Sequence, residues 1–159
     1  MKHLLKNPYS NVEGYNCFGC SPNNQDGLRL SFYLDGEDVV SEWTPDMRFV
    51  GWNNIVHGGI QATMMDEIAS WVVFTKLNTA GVTREMTVKY RKSVLVSDGK
   101  MVCRARLVEV NRQLATIEVK LFSMEILRAE AKCVYYLFGE EEAKEKFMYP
   151  GSDAFHSQT

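Results

Sequence analysis

The chain has 159 residues, 45% hydrophobic and 24% charged, which suits one globular domain with a buried core. Its net charge of -2, from 18 basic and 20 acidic residues, gives no basic excess to hold nucleic acid and no acidic tail. No signal-like run opens the chain and no segment approaches the roughly 20 apolar residues of a spanning helix, so a soluble cytoplasmic protein without a membrane partner is expected.

Residues 1–27 are rich in turn formers ("NPYSN", "SPNNQDG") and are expected to form a loop segment packed on the domain. Within it, Cys17-Phe18-Gly19-Cys20 has a metal-like spacing. Zinc takes four ligands and no second pair follows, so a packed turn without metal is expected. With Cys103 and Cys133 the chain holds 4 cysteines, too few and too scattered for a disulfide scaffold, and free thiols are expected.

The domain proper is expected over 28–139. Leu28–Leu34 alternates in part, Asp35-Gly36 is a hairpin signal, and Val39–Trp43 reads as the return strand. Pro45–Asn54 reads as a loop. Ile60–Leu77 has no Gly or Pro and is apolar nearly all round, which predicts a buried helix of about five turns. Such a helix must be wrapped by something. Its polar residues Thr63, Asp66, Glu67 and Ser70 form one narrow stripe.

From Thr83 the period becomes two. Met86, Val88 and Tyr90 share one face, and strands follow over Met101–Val110, Gln113–Phe122 and Leu127–Phe138. Four strands in a row predict an antiparallel meander. The charged segment 140–159 predicts a short helix and then a frayed end. Two strands, one buried helix and four more strands define an α+β domain whose sheet curls around the helix.

His57-Gly58-Gly59 opens that helix. A helix N-terminus offers unpaired N–H groups and partial positive charge, and glycines let a ligand approach the backbone. The combination suits an oxyanion, although a plain loop-to-helix joint has the same residues. A carboxylate in an apolar helix is costly unless satisfied or facing a cleft. Glu67 is expected to reach solvent on an exposed edge. Asp66, with Thr63 and Ser70, suggests a polar slot for a nucleophile or general base. Asp66 lies eight residues after Gly58, about 12 Å along the axis. If both act on one substrate they come from two subunits, which predicts an obligate dimer.

"CFGCSPNNQDGLRLSFYLDG", "GWNNIVHGGIQATMMDEIA" and "TVKYRKSV" together resemble the hotdog-fold acyl-CoA thioesterases of the phenylacetic-acid type, over roughly Cys17–Phe138. The resemblance implies a long central helix wrapped by a curved antiparallel sheet, hydrolysis of acyl-CoA thioesters, and a homo-oligomer, either a dimer or a dimer of dimers. It implies no cofactor. Asp66 would be nucleophile or general base, and Gly58 would supply the oxyanion N–H. His57 would sit beside the thioester, and Thr83 would position water. Asn54 and Gly59 join the expected substrate-binding residues. Lys89, Arg91 and Lys92 suit CoA phosphates, or equally a solvated strand face. The chain departs from the family pattern at Ser21, Gln25, Ser93 and the "GWNN" loop, all near the pocket, which bears on substrate choice. Two other readings remain: a non-catalytic acyl-CoA-binding protein, and a dehydratase using His57 and Glu67.

Overall fold

His57 has extended backbone and caps the first helix, its Nδ1 accepting from the Gly59 N–H at 2.8 Å. In this computed structural model, which describes residues 1–157, that cap starts α1 (Gly58–Lys76) two residues before the expected Ile60. Residues 158–159 of the expected tail lie outside the described part. Met64, Met65, Ile68, Ala69, Trp71, Val72 and Val73 of α1 are buried. No described helix is long and apolar enough to cross a membrane.

The sheet that covers α1 has seven strands, all paired antiparallel: β1 (Lys2–Leu4), β2 (Tyr33–Asp35), β3 (Asp38–Trp43), β4 (Gly81–Tyr90), β5 (Met101–Asn111), β6 (Leu114–Ser123) and β7 (Ile126–Leu137). Along β6, Ala115, Ile117, Val119 and Leu121 point at the helix and are at most 1% exposed. Alanines at 105, 129 and 131 on the same face leave room for the large side chains of α1. Register shifts at Thr83/Glu85, Leu107/Glu109 and Leu121/Phe122 bend the strands around it. The architecture is α+β, a long helix wrapped by a curved antiparallel sheet, and it is the hotdog fold.

Four expectations need correction. The order is β1-β2-β3-β5-β6-β7-β4, so the last four strands are not a simple meander. β4 pairs with β7 at one edge, and residues 91–100 return the chain past the start of α1, where Val56 N–H donates to Val94 O at 2.9 Å. Leu28–Leu34 forms regular strand only from Tyr33, because Arg29 has φ 52 and breaks the extended run. Its N–H groups bind the cysteine loop instead: Leu28 to Phe18 O and Leu30 to Gly19 O, each at 2.9 Å. Residues 1–27 are not all loop, since β1 joins the sheet through β2.

The tail is also not frayed where it is described. After α2 (Glu140–Phe147), Tyr149 and Phe155 are buried, Tyr149 donating to Phe74 O and Phe155 stacking on Phe74. His156 bridges Leu5, so the two ends of the described chain meet.

Candidate active site

Thr83 and Tyr135 face each other across β4 and β7, and both hydroxyls reach Asp66 of α1. Thr83 Oγ1 donates to Oδ1 at 2.8 Å, and Tyr135 Oη lies 2.6 Å from the same oxygen. The Tyr135 hydroxyl is also 2.7 Å from Asp66's own carbonyl, so its one proton is shared. Burial pushes the Tyr135 phenol well above its usual range, and the Asp66 charge adds to the effect, so it stays a donor. Asp66 Oδ2 accepts no hydrogen bond among the described residues.

The polar slot expected from the helix stripe is therefore built by strands. Thr63 bonds back to Gly59 O and Ser70 to Glu67 O, and neither hydroxyl holds Asp66. Tyr135 falls within the strand expected over Leu127–Phe138, and nothing in the sequence marked it as a site residue.

At the other end of the site, α1 offers a free amide. His57 takes the Gly59 N–H, and Ile60 and Gln61 donate to His57 O. The Gly58 N–H has no acceptor among the described residues. Tyr90 Oη donates to Gly58 O at 2.6 Å and pins the helix start to the end of β4. Asn54 does not face this amide with a free side chain: with φ 60 it shapes the loop, donating to Ser97 Oγ at 2.9 Å and accepting from Ser97 N–H at 3.0 Å. Arg91 pairs with Glu130 at 3.0 Å, Lys89 lines a charged cleft on the outer sheet face with Glu85, Glu118 and Lys132, and Lys92 is exposed.

Glu67 departs from expectation. Its carboxylate turns toward the cysteine loop instead of an exposed edge, with Cys17 Sγ 3.4 Å from Oε1. Burial pushes its carboxyl up to about 8, with the charge of Cys17 adding to the shift. The Cys17 thiol is held below its usual range by a hydrogen bond from Cys20, and then by the amides of Cys20 and Gly19. Glu67, Ser70 and both cysteines line a cavity of about 310 Å³ whose walls are largely aromatic, from Tyr9, Tyr15, Trp71, Phe74 and Phe147. Ser70, one turn beyond Asp66 on α1, lines this cavity, and Asp66 itself does not.

A hotdog domain carrying an oriented carboxylate on its central helix is the class these features define. Residues 53–130 match the family model of the thioesterase superfamily. Among solved structures, a thioesterase superfamily protein shares 17% identity at TM-score 0.66, over 74% of this chain and 58% of its own. A Streptococcus mutans protein bound to acetyl-CoA shares 17% at TM-score 0.65, over 81% and 97%. A Ralstonia eutropha putative thioesterase, related to phenylacetic acid degradation, shares 18% at TM-score 0.63, over 69% and 85%. At these identities the likeness is one of fold, and the chain spans 58% of the length of the first. No curated protein matches the sequence. The resemblance to hotdog thioesterases read from the sequence stands.

Proposed function

We propose that the protein hydrolyses acyl-CoA thioesters to the free acid and CoA, with Asp66 as nucleophile or general base. The observation that carries this reading is the Asp66 carboxylate: one oxygen held by Thr83 and Tyr135, the other without a partner among the described residues. Such an anion is oriented, and its free oxygen can attack a thioester carbonyl or take a proton from water. On this reading the Gly58 N–H at the helix start holds the oxygen that becomes negative, with the helix dipole in support. The thiolate of CoA then leaves, and water completes the acid. The aromatic cavity beside Ser70 suits the acyl group. A relative bound to acetyl-CoA supports a CoA ester as the substrate class.

On this reading the site is shared. Eight residues of helix separate Gly58 from Asp66, about 12 Å of axis. One substrate carbonyl cannot meet both from one chain. Among the described residues β4 has a single neighbour in the sheet, so its other edge could pair with a second copy.

The test is release of free thiol from a panel of acyl-CoAs. Wild type should release CoA, and Asp66→Ala should fall to background with its circular dichroism unchanged. Activity near wild type in Asp66→Ala overturns the assignment of Asp66. Tight acyl-CoA binding without release by wild type supports the binding-protein alternative.

A further inference from the structure

Sequence spacing alone offers a metal two ligands, Cys17 and Cys20. The fold adds a third from α1. The two sulfurs and a carboxylate oxygen of Glu67 all lie within 4.8 Å of one another. Zinc holds thiolates at about 2.3 Å and carboxylates at about 2.0–2.2 Å, so tetrahedral donors stand roughly 3.5 Å apart. Small rotamer changes would close this set on one ion.

The surroundings are shaped for that set. A Cβ at Gly19 would lie 2.5 Å from Glu67 Oε2, so the residue between the cysteines leaves the space the carboxylate fills. Cys17 Sγ lies 3.4 Å from Glu67 Oε1. Asn7 Nδ2 lies 3.7 Å from Cys20 Sγ, and Tyr15 Oη lies 2.9 Å from it. Such outer donors orient metal-bound thiolates and offset their charge. Both halves of the set are anchored, the loop by Leu28 and Leu30 and the carboxylate by α1. Glu67 forms no ion pair among the described residues, and its carboxyl oxygen faces Cys17 Sγ. A Cys17–Cys20 disulfide would leave that carboxylate in the same wall with no partner. A dication uses all three groups.

We propose that Cys17, Cys20 and Glu67 bind one thiophilic divalent cation of the zinc class, with the fourth position facing the aromatic cavity. The ion ties the N-terminal loop to the helix that carries Asp66. It is independent of the proposed hydrolysis, and its test uses no activity measurement.

The probe is Co²⁺, added to the full-length protein after reduction and removal of metals by chelation. Expected are one Co²⁺ per chain, a near-ultraviolet thiolate-to-cobalt charge-transfer band, and displacement of cobalt by Zn²⁺. Cys17→Ser and Cys20→Ser should each weaken or abolish the band, while Cys103→Ala should keep it. Glu67→Gln should weaken cobalt binding at least tenfold. Gly19→Ala retains every donor yet should also weaken it, by displacing the carboxylate. If the serine variants fail to fold, the Glu67 and Gly19 variants still decide. Absence of the band in fully reduced wild type overturns the site. So does cobalt affinity unchanged by Glu67→Gln, or a purified Cys17–Cys20 disulfide whose reduced form binds no cobalt.

Discussion

Tyr135 and Tyr90 each approach α1 to 2.6 Å, one at a carboxylate and the other at a backbone carbonyl. Their substitutions should therefore separate. Tyr135→Phe removes one of two donors to Asp66 Oδ1, so thiol release should fall by about 10- to 100-fold. Stability should drop by only about 1 kcal/mol, the usual net worth of one hydrogen bond. Steady-state kinetics and urea denaturation of the same preparation check both. An unchanged kcat would place Tyr135 outside the site. Asp66 was legible in the sequence because a carboxylate in an apolar helix is an anomaly. Glu67 was misjudged because the identity of its partner depends on Cys17, 50 residues away, and no local pattern encodes that. Tyr135 carried no site signal within the strand expected over Leu127–Phe138, since alternation reports the face of a strand and not what a hydroxyl reaches.

Elements were easier to read than their neighbours. The period of two located β5, β6 and β7 to within about two residues, but it is silent on which strand lies beside which. β1 was missed because three exposed residues carry no burial pattern. Glu42 of β3 helps hold that edge, accepting from Lys2 at 3.3 Å, Tyr33 at 2.9 Å and Lys100 at 3.0 Å. The Lys100 bond, then Tyr33, holds its carboxyl down to about 2. A depressed carboxyl stabilises the fold fully above its ordinary range and loses that contribution as pH falls through about 2. Glu42→Gln should cost up to about 1 kcal/mol at pH 7, because these charges are solvent-screened. The gap to wild type should close near pH 2, as chemical denaturation across the range will show. A constant gap would assign the loss to packing. Inside α1, Trp71 stacks on Phe32 at 4.3 Å and is fully enclosed, so Trp71→Ala should cost about 3–5 kcal/mol in the same assay.

For the whole molecule, the proposed sharing of the site between subunits predicts a rescue of defined size. Gly58 is not in the left-handed region, and His57 before it is extended at φ -55, ψ 133, so Gly58→Pro fits the first helical position while removing its N–H. Asp66→Ala and Gly58→Pro, each inactive alone, should recover up to about a quarter of wild-type activity after subunit exchange, because half of random dimers are mixed and each holds one intact site. No recovery, with exchange confirmed, places each site within one chain. A second molecule-scale consequence concerns the order of assembly during synthesis. Ser157 donates to Leu4 O at 2.9 Å across 153 residues, and Lys6 N–H donates to Phe155 O at 2.8 Å. Residues 4–6 therefore meet these contacts only once residues 155–157 have been made. Until then the rings of Tyr9, Trp71, Phe74 and Tyr149 that pack on Phe155 lack their closing partner, and a partly folded chain exposes that aromatic cluster to aggregation.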